Sequence, residues 1–133
     1  MKRLIAFSLI IVTLLCLSSC VYSNSYNAFM LVTSKAKDHC FLSADSFEGR
    51  YVFKVKTTGG ESGGITYNAS LGEGKVTVSY DTLGTKLPLF TINSGEQLSD
   101  TDGYIEVGKG GTVYIIIETE GKAKDLKINV DFE

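Results

Sequence analysis

The chain has 133 residues, enough for one small domain behind a leader, and its formal charge of −2 comes from 13 basic and 15 acidic residues. Because this balance is mildly acidic and the lysines are scattered along the sequence, it argues against a nucleic-acid-binding protein and predicts no basic face for anionic lipid. With 14 glycines, one proline and no tryptophan, beside many threonines, tyrosines and valines, the composition is typical of a β-rich protein.

The first segment, residues 1–19, has the pattern of an export signal. Lys2 and Arg3 precede an apolar run over residues 4–17, and Ser18 and Ser19 follow it. A transmembrane helix needs about 20 apolar residues, so this run is too short to span a bilayer. We therefore predict that residues 1–19 are a signal peptide that is removed on export.

The end of that signal, Leu17-Ser18-Ser19-Cys20, resembles the lipobox of bacterial lipoproteins. The resemblance implies that Cys20 is the lipidation site, carrying diacylglycerol on its thiol and a fatty acid such as palmitate on its amino group. It also implies an exported protein that is lipid-anchored to the cell membrane, which is the outer membrane in a Gram-negative cell. Cys16 is excluded because the bulky Leu15 stands where the cut requires a small residue. The alternative is an ordinary secretory signal with a chance cysteine.

The rest of the chain divides into a tether and a domain. Residues 20–36 are predicted to be the lipid anchor and a polar tether, within which residues 28–33 form a first strand or a helical turn. Residues 37–133 form the folded domain. Cys16 leaves with the leader and Cys20 carries lipid, so Cys40 has no intramolecular disulfide partner and is predicted to be a small core residue.

Alternation of apolar and polar residues, and in residues 113–117 an apolar run that suits a central strand, predicts the strands of the domain. These segments are 38–44, 51–56, 65–71, 76–80, 87–92, 103–107, 113–117 and 126–132. Gly72-Glu73-Gly74-Lys75 tolerates positive φ, so a β-hairpin is predicted between the third and fourth segments. Short strands with close turns and no convincing helix predict an all-β fold, a single antiparallel β-sandwich of the jelly-roll or immunoglobulin-like kind with about seven to nine strands.

The order of these segments resembles, in architecture, the jelly-roll-like domains at the ends of secreted bacterial peptidases. The similar strands are residues 49–55, 74–80 and 111–117. That family often has an acidic Asp-x-Asp-Leu segment, but this chain has Gly84-Thr-Lys-Leu-Pro-Leu-Phe90 in its place. The resemblance therefore implies a fold and gives no support to metal binding.

Motifs that could carry catalysis are explained more simply by loop composition. Gly60-Glu61-Ser62-Gly63-Gly64 spells the G-x-S-x-G of serine hydrolases, but that chemistry needs a strand-to-helix elbow and a histidine later in the chain. Here the serine lies in a glycine loop between two strands, and the only histidine, His39, precedes it. We therefore predict that the protein is not an enzyme and has no catalytic residues and no cofactor.

The carboxylates around residue 100 form the only candidate metal site. Asp100 and Asp102, in Ser-Asp-Thr-Asp-Gly, match a fragment of a calcium loop, with Glu96 and Glu106 nearby. Calcium takes six to eight oxygen ligands, so the fragment is incomplete. Turn chemistry before a strand is the simpler interpretation, and no metal is predicted.

Tyr114 and Ile116 lie on the strand face opposite Val113, Ile115 and Ile117, and they are the candidate ligand-binding residues if that face is open. The alternative is a central strand covered on both sides.

The predicted lipid anchor and the absence of catalytic groups together predict a non-catalytic extracytoplasmic lipoprotein that binds or scaffolds a protein or a glycan. The alternatives are a carbohydrate- or cell-wall-binding module, against which the lack of tryptophan counts, and an inhibitor or accessory subunit of an exported enzyme.

Overall fold

The computed structural model describes residues 23–56, 63–82, 84–105 and 112–132. These residues form nine antiparallel β-strands, and no helix long and apolar enough to cross a membrane is found among them. The strands are β1 (Ser25–Phe29), β2 (Val32–Ala36), β3 (His39–Lys56), β4 (Gly64–Ser70), β5 (Lys75–Asp81), β6 (Lys86–Asn93), β7 (Gln97–Tyr104), β8 (Thr112–Thr119) and β9 (Ala123–Phe132).

One long strand, β3, organises the sheet. Its first part pairs with β9 from His39 to Phe47, and its last part pairs with β8 from Arg50 to Lys56. On its other edge β2 pairs with the first part and β1 with the residues around the bend, in one continuous register. The hydrogen-bonded order is β6-β5-β8-β3-β9-β4-β7, with β1 and β2 added along β3.

This order is that of one sheet folded over on itself. β1 continues as β2, β4 as β5, β6 as β7 and β8 as β9, so each pair passes, as β3 does, from one half of the sheet to the other. We call β1, the last part of β3, β8, β5 and β6 the first half-sheet, and β2, the first part of β3, β9, β4 and β7 the second half-sheet. The line where the strands bend is the corner, and the opposite end is the open end.

Gly49 shows why β3 can bend at the corner. Its φ is +120°, and a Cβ there would lie 2.2 Å from the carbonyl oxygen of Ser25, so only glycine fits. Its amide donates to Oγ1 of Thr119 at 2.9 Å, which satisfies a donor that regular pairing loses at the bend. The corner therefore depends on a backbone conformation that the sequence specifies at one residue.

The core lies between the two half-sheets. Alternating buried residues from both halves form one cluster that includes Leu42, Phe53, Ile65, Ile115 and Ile128. Tyr67 of the second half-sheet stacks on Phe90 of the first, with ring centroids 4.3 Å apart. The predicted all-β antiparallel sandwich is confirmed, and the predicted inward residues of segments 65–71, 76–80 and 126–132 are buried or half-buried.

The predicted hairpin at Gly72–Lys75 is wrong. β4 pairs with β7 and β9, whereas β5 pairs with β6 and β8, so the two strands do not pair with each other. Residues 71–74 instead cross the corner, where the Gly72 amide donates to the Lys124 carbonyl at 3.0 Å. Glycines suit such a crossing for the same reason that they suit a turn, because both need unusual backbone angles.

The N-terminal region is also more structured than a tether. β1 begins at Ser25, within the segment predicted to be polar spacer, and it and β2 form the edge strand along β3. Segments 38–44 and 51–56, predicted as two strands, are parts of the single β3. Cys20 and the signal peptide lie outside the described residues.

Candidate ligand-binding face

The outer surface of the second half-sheet carries an ordered array of polar side chains, which we call the polar face. Strand alternation places His39 and Phe41 of β3, Asn129 and Asp131 of β9, and Asn68 of β4 on this surface, because their neighbours Cys40, Val130 and Ala69 point into the core. The registers place His39 opposite Asp131, and place Asn129 between Phe41 and Asn68. Phe41, Asn129 and Asn68 form one row across the strands, and His39 and Asp131 form part of the next row.

Asp131 fixes the orientation of its neighbours on the polar face. Nδ1 of His39 lies 2.8 Å from Oδ1 of Asp131, and Nδ2 of Asn129 donates to Oδ2 of the same carboxylate at 2.8 Å. A carboxylate only accepts hydrogen bonds, so Nδ1 of His39 carries the proton in this contact and Nε2 is the ring nitrogen left for a ligand. The amide orientation of Asn129 is set in the same way, which leaves its oxygen available to a ligand.

Phe41 supplies the aromatic surface of the polar face. Its ring lies parallel to that of His39, with an interplanar angle of 6° and centroids 6.5 Å apart. The ring is half-buried, so one part packs on the sheet while another part remains accessible. The two rings thus present flat surfaces beside fixed hydrogen-bonding groups.

A depression borders the polar face on the β7 side. It has a volume of about 160 Å³ and is lined by Asn68, Ala69, Ser70, Gln97, Leu98, Ser99, Lys127 and Asn129. β4 and β7 shift register between Tyr67 and Ala69, and the Asp100 amide donates to Oδ1 of Asn68 at 2.8 Å beside this irregularity.

Asp100 and Asp102 lie on the exposed strand β7. Asp100 has a φ of +45°, so its backbone turns out of the regular strand. Among the described residues no group of three or more His, Cys, Asp or Glu side chains could hold a metal ion. Glu106, which accompanied them in the sequence, lies outside the described residues.

The candidate residues Tyr114 and Ile116 belong to the other outer surface, that of the first half-sheet. Ile116 pairs with Val52 and Ser79 and is 0% exposed, whereas Tyr114 is half-buried. Ile116 is therefore not presented to solvent, which agrees with the alternative that this strand is central and covered. The sequence signal for a covered central strand is the apolar run over residues 113–117, which shows no polar alternation.

Cys40 and His39 point to opposite sides of the sheet, as their adjacency on a strand predicts. Cys40 is buried in the core, and burial raises the pKa of its thiol to about 12, with a smaller opposing effect from Lys35. A thiol that holds its proton this firmly is a poor nucleophile. Ser62 of the G-x-S-x-G motif lies outside the described residues.

Sequence reasoning did not identify the polar face. The alternation of segment 126–132 places Asn129 and Asp131 on its polar side, but it does not show that they lie beside His39 and Phe41, about 90 positions earlier. The signal that could have found them is the alternation His39, Phe41, Ser43 on one side and Cys40, Leu42, Ala44 on the other. Such a surface can be located only when the strand pairing is known.

Comparison with known proteins yields folds of similar outline and no family. No family model and no curated protein matches the chain. A CBM29-2 mutant of family 29 carbohydrate-binding modules, complexed with mannohexaose, has 16% identity and a TM-score of 0.43, over 82% of this chain and 79% of that one. Protein NMB1881 from Neisseria meningitidis has 14% identity and a TM-score of 0.37, over 80% and 87%. The Drosophila melanogaster CENP-C cupin domain has 11% identity and a TM-score of 0.32, over 84% of each chain. At these values the likeness identifies neither a family nor a ligand.

Proposed function

We propose that this protein is a lipid-anchored extracytoplasmic binding domain without catalytic activity, and that its polar face binds carbohydrate. The lipidated Cys20 holds the domain at the membrane. The polar face, with His39, Phe41, Asn68, Asn129 and Asp131, provides the ligand contacts. The observation that carries the proposal is the fixed pairing of Asp131 with both His39 and Asn129 beside an accessible aromatic ring.

Sugar chemistry matches this arrangement. A sugar presents hydroxyl groups that both donate and accept, and it presents C–H surfaces that pack on aromatic rings. The amide oxygens accept from hydroxyls, Nε2 of His39 offers a further polar contact, Lys127 donates, and Phe41 offers the flat apolar surface. Because Asp131 already orients its partners, ligand binding orders few additional side chains, which lowers the entropic cost of association.

A stable protein partner fits the polar face less well. The central part of a protein interface is depleted in charged residues and enriched in large apolar and aromatic side chains. Apart from Phe41, the two rows described above are polar, and their side chains already satisfy part of their hydrogen-bonding capacity within the sheet. For this reason we prefer carbohydrate to the scaffolding and inhibitor alternatives.

Glycan binding is tested with the chain that begins at Val21, screened against an array that includes cell-wall glycans. We expect binding that Asn129→Ala weakens by about tenfold, since one to two hydrogen bonds are lost. Thr77→Ala, a change of similar kind on the outer surface of the first half-sheet, is the control and should bind normally. Absence of any glycan hit, or equal binding by Asn129→Ala and the unaltered chain, would contradict the carbohydrate proposal.

The anchor is tested separately in the producing cell. Metabolic labelling with a fatty acid should place label on the unaltered protein and none on Cys20→Ser. A Cys16→Ser variant serves as the control and should be labelled normally. Label that depends on Cys16, or no label at all, would contradict the lipoprotein assignment while leaving the glycan experiment unaffected.

A further inference from the structure

Four lysines that are scattered in the sequence come together at the open end of the sandwich. Lys35 and Lys37 belong to β2 and the turn after it, and Lys54 and Lys56 lie at the end of β3. All four line one depression of about 480 Å³, together with Ala36 and Val55. The sequence-based expectation that the chain has no basic face is therefore wrong, because folding collects charges that are 19 positions apart.

These lysines, which we call the lysine cluster, differ in their partners from three other lysines of the domain. Lys75, Lys86 and Lys124 each pair with a glutamate, namely Glu120, Glu118 and Glu73. In the part of the chain that the structure describes, no carboxylate lies within salt-bridge distance of the lysine cluster, although Asp38 follows Lys37 directly. Lys35 donates from Nζ to the carbonyl oxygen of Lys54 at 2.9 Å, and all four side chains are exposed.

The position of Asn24 limits how far the predicted lipid can lie from the lysine cluster. β1 begins at Ser25 opposite Arg50, and Oδ1 of Asn24 accepts from the amide of Val52 at 2.8 Å. Asn24 therefore lies beside Val52, on the part of β3 that leads on to Lys54 and Lys56. Cys20 is four residues before Asn24 and so lies within about 14 Å of it along any path.

From this placement we propose that the lysine cluster rests on the anionic phospholipid surface into which the lipid of Cys20 inserts, so that the domain is held in one orientation with its open end toward the membrane. This inference rests on the lipid anchor of the proposed function. Each lysine near an anionic surface adds attraction of about 1 kcal/mol, and the anchor keeps the cluster within the short range of that surface potential. The corner then faces away from the bilayer, and on the polar face Asn68 and Asn129 lie farther from the membrane than His39 and Asp131, which are nearer the open end.

The test uses the acylated protein purified from its own membranes and placed in vesicles. One set contains phosphatidylethanolamine with phosphatidylglycerol, which is anionic, and the other contains only phosphatidylcholine. The rate at which an amine-reactive reagent labels each lysine is measured by mass spectrometry. We expect the lysine cluster to be labelled about fivefold more slowly on the anionic vesicles, the factor that corresponds to ~1 kcal/mol per lysine, and high salt should remove the difference. Lys75, Lys122 and Lys124 at the corner should be labelled equally on both.

Two matched variants make the test specific. Lys37→Gln with Lys54→Gln and Lys56→Gln weakens the cluster but keeps Lys35, whose bond to the Lys54 carbonyl is retained. Lys75→Gln with Lys122→Gln and Lys124→Gln removes the same charge from the corner. Lys35 is the reporter in both. Its slower labelling on anionic vesicles should disappear in the first variant and persist in the second.

Several outcomes would overturn the inference. Equal labelling of the cluster on both kinds of vesicle, or equal protection of the corner lysines, would show that the domain has no such orientation. The same labelling can be done in the producing cell's membranes. Slower labelling of the lysine cluster there but not on anionic vesicles would point to an acidic protein instead of lipid. A purified protein whose mass shows no acyl group on Cys20 would instead refute the anchor of the proposed function, and this result is read from the mass before any labelling.

Discussion

The two outer surfaces of this folded sheet have the same topology and different character. On the first half-sheet Ile116, Ser79 and Asp81 are buried, and the rim carries ion pairs such as Lys86–Glu118. On the second half-sheet the corresponding residues, including Asn129 and Asn68, remain accessible and form hydrogen bonds along the surface. The comparison teaches that one outer surface is largely buried and contributes to stability, while the other leaves its polar groups accessible.

The largest expected effect concerns Ile116 on the first surface. Ile116→Ala removes fully buried methylene groups and should lower the free energy of unfolding by about 3 kcal/mol. Asn129→Ala on the second surface should lower it by about 1 kcal/mol or less, because the side chain is partly exposed. Urea denaturation of both variants measures the difference. Similar losses in the two would remove the distinction between the surfaces.

The next prediction concerns the corner that joins the half-sheets. Gly49→Ala should lower the free energy of unfolding by about 2 kcal/mol or more, since its Cβ would collide with the Ser25 carbonyl and its φ is +120°. Gly121→Ala is the control, because a Cβ there meets nothing within 4 Å and only the φ of +69° opposes it. We expect about 1 kcal/mol for the control. Thermal unfolding of the Gly49→Ala and Gly121→Ala variants shows whether the Cβ contact at Gly49 adds to the loss of stability.

A change on the polar face should affect binding more than stability. Asp131→Asn keeps the size of the side chain but removes the charge that holds Nδ1 of His39 and Nδ2 of Asn129. We expect about tenfold weaker glycan binding, with a small change in stability because Asp131 is half exposed. Calorimetric titration with the glycan identified on the array measures this. Unchanged affinity would mean that glycan binding does not require Asp131 to orient His39 and Asn129.

At neutral pH the smallest effect concerns Cys40, on the inner side of β3. Its pKa is raised to about 12 by burial, so the folded state holds a proton that the unfolded state releases near pH 9. The corresponding stability is present below pH 9 and is lost between about pH 9 and 12, at no more than about 1.4 kcal/mol per pH unit. Cys40→Ala should remove this component, which is measured as the difference between the denaturation curves of the two proteins at alkaline pH. Identical pH profiles would contradict it.

The sequence predicted the fold class and the inward sides of the strands because these depend on local alternation. Residues 65–71 and 126–132 show this well, since their apolar positions are the buried ones. It failed at Gly72–Lys75 because a glycine-rich crossing and a hairpin turn have the same local chemistry. It also could not show the polar face or the lysine cluster, since both are made by pairing between residues distant in the chain, such as His39 with Asp131.

The folded sheet also determines how the core can open. Because strands or continuing strand pairs join the half-sheets at the corner, the halves cannot part there without disrupting these strands, and local opening must begin at the other end. There Lys35 of the second half-sheet is bonded to the Lys54 carbonyl of the first. Amide exchange should therefore become faster from the corner outward along each strand. A surface that contacts both Lys35 and Lys54 would hold the two halves together and slow that exchange.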